Sequence, residues 1–266
     1  MSDILNKIIE AKKLEVKEKK ELFPEKLLER SIYYTTPAVS LKQYLLREDK
    51  CGIIAEFKKK SPSKGDINPY ADIEDVSIGY MQAGASALSV LTDNQFFGGK
   101  NEDLTMARKF NYCPILRKDF IIDKYQIIEA RSIGADVILL IAACLAYSEL
   151  KELAGFAKSI GLETILEIHA KDEIKKINEH IDIIGVNNRN LINFNVSIDN
   201  SIEIFPELPA GILKISESGL NDPESIIKLQ KTGYQGFLIG EYFMKHANPP
   251  LACEKFIKKI MSLTKD

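Results

Sequence analysis

The chain has 266 residues, 45% of them hydrophobic, and 36 Lys and Arg against 38 Asp and Glu give a formal net charge of −2. That length can bury a full core in one domain or two, and the near balance of charge leaves no basic excess for nucleic acid and no polybasic tract for anionic lipid. The apolar run VILLIAACLAY near 137–147 is far too short to span a bilayer, and MSDILNKIIEAKKLEVKEKKEL lacks the apolar core and cleavage site of a signal peptide, so a cytoplasmic protein is expected.

Residues 1–50 carry no strand pattern. They read as a charged amphipathic helix over Asp3–Glu21, a second over Pro24–Arg30, a linker and a short Leu41–Leu46 turn. After residue 50, β-branched runs alternate with amphipathic stretches. Strands are expected near Gly52–Lys58, Ala87–Thr92, Pro114–Lys118, Val137–Ile141, Glu163–Ile168, Ile183–Asn187, Leu213–Ser218 and Phe237–Gly240. Helical spacing marks Ile73–Ala83, Lys124–Ile133, Ser148–Ile160, Asp172–Glu179 and Pro223–Lys231. Gly134, Gly161 and Gly233 fall where helices should stop, each shortly before the next strand. Unbroken βα alternation implies a parallel sheet, and eight units imply one closed (β/α)8 barrel, a TIM barrel of the α/β class. An open doubly wound sheet would show fewer units and a glycine-rich first turn. The expected organisation is a helical extension (1–50) packed on a barrel (51–266), one domain overall.

Barrel chemistry gathers at the C-terminal ends of the strands. The first strand ends with Glu56 and Lys58, on the parity of Ile54, followed by Ser61; the third ends with Lys118 and then Phe120. Further round come Glu167, then Asn187 and Arg189, then Ser218-Gly219, then Gly240-Glu241. A single strand-end lysine is ordinarily a solvated loop residue. Six strand ends carrying inward polar groups together point to a site, because unpaired buried charge is expensive. Lys214 shares Ser218's parity and is expected to face inward at the barrel floor. SESGLNDP and LIGEYF each place a glycine turn before a helix, the form of phosphate cradle common in barrels. Cys51, Cys113, Cys144 and Cys253 lie far apart, with no CxxC, and read as reduced thiols; His169, His180 and His246 have no metal-ligand spacing. No metal site is expected.

Taken in order, AEFKKKSPSKG, SVLTDNQFFGG, PILRKDFIID, LEIH, IGVNNRNL, SESG and LIGEYFM resemble the indole-3-glycerol phosphate synthase family over essentially the whole chain, including ILNKI and KKLEV of the first helix. The resemblance implies the same barrel with an N-terminal helical segment. It also implies a phosphorylated small-molecule substrate, 1-(2-carboxyphenylamino)-1-deoxyribulose 5-phosphate, which cyclises with loss of carbon dioxide and water. Lys118 is then the general acid of ring closure, with a pKa expected to be lowered by neighbouring cations, and Glu167 the base of dehydration. Lys58 pairs with the substrate carboxylate or delivers the later proton, and Glu56 holds Lys58 and Lys118 in place. Asn187 and Arg189 contact the substrate, Phe97 and Phe120 press its aromatic ring, and Ser61, Ser218, Gly219 and Gly240 hold the phosphate. Glu241 departs from the family pattern, standing where many members carry a small hydroxyl residue. No cofactor, metal or obligatory protein partner is implied. The rival readings are a sister isomerase barrel, which needs no lysine cluster for a carboxylate, and a catalytically dead barrel that only binds a phosphorylated metabolite or a partner protein.

Overall fold

The computed structural model describes residues 3–190 and 195–264. Eight strands close into a barrel: β1 (Ile53–Phe57), β2 (Ala87–Leu91), β3 (Ile115–Lys118), β4 (Val137–Ile141), β5 (Glu163–Ile168), β6 (Ile183–Asn187), β7 (Leu213–Glu217) and β8 (Gly236–Ile239). Every neighbouring pair is parallel, and β1 closes the ring against β8 through Ile53↔Phe237 and against β2 through Ile54↔Ala87. Strands buried on both faces need apolar residues at successive positions, which is what IIAEF and VILLI supply. One parity fills the barrel: Ile54, Ala87, Leu116, Leu139, Ile165, Ile183, Ile215 and Leu238 pack together, closed from below by Leu41 and Leu45. The other parity packs outward against the helices.

The helices begin where side chains can cap them. Asp123 forms a capping box with Gln126 at the start of Lys124–Ser132, and Asp222 accepts from the Ser225 amide with Pro223 in the first turn of Pro223–Thr232. Gly134, Gly161 and Gly233 all have positive φ, the left-handed conformation that stops a helix cheaply only with glycine. Two expectations fail here. The segment read as a helix over Asp172–Glu179 is a 3₁₀ turn, Lys171–Lys176, tied down by Lys176 Nζ donating to the carbonyls of Ala142 and Leu145. Lys214 shares the outward parity of Ser216: its ammonium donates to the Ile212 carbonyl and sits over the Phe205 ring, so it is not a floor residue.

The N-terminal helix α1 (Asp3–Leu22) lies across the barrel, with Leu5, Ile8, Ile9 and Val16 buried. Among the described residues no helix is long and apolar enough to cross a membrane.

Candidate active site

The inward parity that fills the barrel with aliphatics changes character at the C-terminal ends. There it presents Glu56, Lys118, Glu167, Asn187 and Glu217 to a cavity of about 550 Å³. Lys118 Nζ donates to Glu167 Oε2 at 2.7 Å and lies 3.3 Å from Glu217 Oε2, close enough to attract it but off the line of a hydrogen bond. Lys58 Nζ pairs with Glu56 Oε1 at 2.7 Å. His169 Nε2 stands 3.3 Å from the other Glu167 oxygen, and Asn187 hydrogen-bonds the same carboxylate.

Two missing side chains make this crowd of carboxylates fit. A Cβ on Gly185 would come within 2.3 Å of Glu217 Oε1, and one on Gly240 within 2.3 Å of Glu56 Oε1. Each glutamate therefore bends over a bare backbone on the neighbouring strand or its end.

The electrostatics follow from who sits beside whom. Burial would strip Lys118 of its proton, but Glu167, Glu217 and Glu56 outweigh it and hold the ammonium well above its ordinary range. The expectation of a lowered Lys118 pKa is therefore wrong in sign, because its nearest neighbours are carboxylates rather than cations. Burial also pushes Glu167 up, yet the Lys118 ammonium and His169 overcome that and keep it ionised below the usual carboxylate range. Glu217 goes the other way. Burial dominates, the longer contact with Lys118 compensates only in part, Glu167 adds repulsion, and its carboxyl is pushed up to about 8. The three buried groups are thus driven apart, the ammonium and the Glu217 carboxyl up and the Glu167 carboxyl down.

Phe97 and Phe120 face each other with ring centroids 5.9 Å apart and form one wall, with Ile4, Leu5 and Ile8 of α1 lining the same cavity. The rim also carries Ser61, Arg189, Ser218, Gly219 and Gly240. Ser61 Oγ is buried without a hydrogen-bond partner. Ser218 (φ 69) is the non-glycine residue with positive φ among those described, and Gly219 (φ 74) follows it. That conformation costs of order 1 kcal/mol or more and persists only where surroundings hold it, here through Asn188 Nδ2 donating to the Ser218 carbonyl at 3.0 Å. Arg189 Nη2 is 3.7 Å from Glu241 Oε2, so the Glu241 carboxylate leans towards the arginine at the rim.

Lys58, Glu56, Lys118, Glu167, Ser61, Phe97, Phe120, Asn187, Arg189, Ser218, Gly219 and Gly240 all line this one cavity. Glu56 holds Lys58 directly, whereas Lys118 is held by Glu167 and acts on Glu56 only at a distance. Sequence reasoning missed Glu217 and His169. Glu217 shares the inward parity of Leu213 and Ile215, a signal masked by reading SESG as a turn.

A parallel eight-stranded barrel with a lysine–carboxylate cluster at its C-terminal mouth and a strained small-residue turn at the rim defines a barrel enzyme built for acid–base work on a small polar substrate. Likeness to known proteins makes this specific. The family profile described as indole-3-glycerol phosphate synthase matches residues 5–257, and the chain belongs to that family. It is 46% identical over 260 residues to the indole-3-glycerol phosphate synthase of Bacteroides thetaiotaomicron, covering 98% of this chain and 100% of that one. It is 41% identical to the namesake from Carboxydothermus hydrogenoformans, over 94% and 98% of the two chains. A chain of the tryptophan synthase complex of Pyrococcus furiosus aligns with a TM-score of 0.58 and 14% identity over 80% of this chain and 99% of that chain, a likeness of fold alone.

Proposed function

We propose that this cavity converts 1-(2-carboxyphenylamino)-1-deoxyribulose 5-phosphate to indole-3-glycerol phosphate, the ring-closing carboxy-lyase step of tryptophan biosynthesis. The observation that carries the assignment of roles is Lys118 set 2.7 Å from Glu167 and 3.3 Å from Glu217, where burial pushes the second carboxyl up while the closer ammonium holds the first down.

Ring closure joins the aromatic carbon bearing the carboxylate to the ketone carbon, and negative charge grows on the ketone oxygen. Lys118 keeps its proton until an alkoxide, a stronger base than any group around it, forms there; it then gives that proton up. The fixed ammonium stabilises the developing charge without reorganising, since its carboxylate partners already hold it. Loss of carbon dioxide leaves its bonding pair in the ring and restores aromaticity. Dehydration follows: Glu217 supplies the proton with which the hydroxyl leaves as water, and Glu167 takes the proton lost from the adjacent ring carbon. Two protons given and one taken match the one proton the overall conversion consumes.

Lys58, set in its place by Glu56, meets the substrate carboxylate, and Arg189 and Asn187 contact the sugar hydroxyls. Phe97 and Phe120 press the aromatic ring towards the ketone, a proximity effect. Ser61, whose buried hydroxyl lacks a partner, and the turns at Ser218-Gly219 and Gly240 receive the phosphate. We read residues 1–50 as an extension of one barrel domain, supported by α1 residues lining the cavity. The four cysteines are free thiols, which supports a cytoplasmic setting. The reading needs no cofactor and no protein partner. Purified protein given the synthetic substrate should generate the indole fluorescence of the product; absence of that signal, with the substrate unchanged, sinks the proposal.

A further inference from the structure

Lys12 is the feature that this reaction does not use and ordinary folding does not explain. It is an α1 lysine with only 1% of its surface exposed, and its Nζ sits 2.7 Å from Glu15 Oε2, 3.0 Å from Asp93 Oδ2 and 3.0 Å from Asp119 Oδ1. Burial opposes that charge, yet Asp119, Asp93 and Glu15 together raise its pKa. The two aspartates stand just past the ends of β2 and β3, and each uses its carboxylate to shape the loop that carries a wall aromatic. Asp93 Oδ1 accepts from the amides of Phe96 (2.8 Å) and Phe97 (3.2 Å). Asp119 Oδ1 accepts from the amide of Phe120 at 2.8 Å, while its Oδ2 takes the Thr92 hydroxyl at 2.8 Å and the Arg117 guanidinium at 3.1 Å. Arg117, fully buried on the outward face of β3, continues to Glu129, which Lys19 of α1 reaches at 3.1 Å. A chain of alternating charge thus runs from α1, behind the cavity wall, and back to α1.

We infer that Lys12 is a positioning residue: its ammonium ties together the two aspartates that set the Phe97 and Phe120 backbones, so that α1 fixes the spacing of the aromatic wall. The inference rests on the reading of those rings as the wall against the substrate's aromatic ring. A buried carboxylate deprived of its cation does not stay where it was, because an uncompensated buried charge seeks water or a proton. Loss of Lys12 therefore strips Asp93 of its ion-pair partner and releases the Phe97 loop, whereas Asp119 keeps Arg117 and the Phe120 loop is loosened far less.

The test is a double-mutant cycle on kcat/KM in the full chain with Lys12→Met and Phe97→Ala. Lys12→Met should lower kcat/KM by about ten- to a hundredfold, the range a misplaced wall produces. The double variant should fall no more than about twofold below Phe97→Ala alone, because residues acting through one another are not additive. Multiplying losses overturn the positioning role and leave Lys12 a stability residue. A Phe97→Ala variant with unchanged kinetics overturns the aromatic-wall reading itself, and the inference with it. Lys42→Met, which breaks an equally short lysine–carboxylate contact with Asp182 (2.8 Å) at the opposite end of the barrel, is the control and should leave kcat/KM unchanged. Should Lys12→Met fail to fold, Lys12→Met combined with Asp93→Asn removes one charge of each sign and enters the same cycle. The chain contains no tryptophan, so Phe97→Trp gives a single reporter. Its emission should move to longer wavelength when Lys12→Met is added, and an unmoved spectrum counts against the inference.

Discussion

Gly185 on β6 pairs with Ile215 of β7, and the carboxyl of Glu217, one inward position further along β7, reaches back into the space that a side chain on the glycine would need. A Cβ there would lie 2.3 Å from Glu217 Oε1 and 3.1 Å from Ile165 Cγ2. The φ at Gly185 is not positive, so alanine suits the backbone; its effect falls chiefly on Glu217, with Ile165 giving way by a few tenths of an ångström. Gly185→Ala should therefore leave a folded barrel while displacing the protonated acid, lowering kcat by about ten- to a hundredfold. Steady-state kinetics beside a melting curve decide it; full turnover in the alanine variant removes Glu217 from the mechanism.

The raised Glu217 pKa predicts how both activity and stability depend on pH. As an acid it must carry its proton, so kcat/KM should decline as pH rises through about 8. Stability follows with a definite sign. The folded protein holds a proton that the unfolded chain releases near 4.5, so the contribution is intact below that value, shrinks as pH rises towards about 8, and is level above. Glu217→Gln keeps a neutral group at all pH values. Its melting temperature should therefore gain on the parent as pH climbs from 5 to 9, and a constant difference across that range refutes the shift.

Much of this was legible from the chain because it depends on local rules. The strands show as apolar runs, Gly134, Gly161 and Gly233 mark the ends of three helices, and inward parity carries Glu56, Lys118, Glu167 and Asn187 to one mouth. What was lost depends on contacts between distant segments. Among the many lysines of α1, nothing in helical spacing distinguishes buried Lys12 from exposed Lys13, because its partners Asp93 and Asp119 lie on the barrel. Glu217 hid in a Ser-Gly turn, and taking Ser218 rather than Glu217 as the inward end of β7 also turned Lys214 to the wrong side. The sign of the Lys118 shift depends on how close its carboxylate neighbours come, Glu167 first and then Glu217, a distance the chain's spacing does not carry.

Lys118→Met separates the chemistry from the binding. Methionine fills the space of the aliphatic stem but offers no proton and no charge, so turnover should drop by about a thousandfold, within the range for loss of a general acid. The residues proposed to receive the phosphate, Ser61, Ser218, Gly219 and Gly240, keep their side chains and turns in this variant, so a competitive phosphorylated analogue should bind within a few fold of the parent. The substitution also strips Glu167 of its nearest cation, so its carboxyl should titrate higher than in the parent. Turnover close to that of the parent would refute Lys118 as the acid.

Glu241, expected from the sequence to depart from the family's pattern, has a geometry that says what such a carboxylate would do. Its carboxylate lines the cavity beside Gly240 and leans on Arg189 at 3.7 Å, with 39% of its side chain exposed. A negative charge there repels an arriving phosphate and occupies an arginine that would otherwise face the substrate. Glu241→Ser removes both effects, so KM for the phosphorylated substrate should fall by about two- to fivefold at low ionic strength, the scale of an exposed ion pair. Salt screens charges at such exposed positions, and the gain should shrink towards nothing in molar salt. The cluster around Lys118 is untouched, so kcat should hold. A KM unchanged at low salt would mean that the phosphate does not sense this carboxylate and binds away from the turn at Gly240.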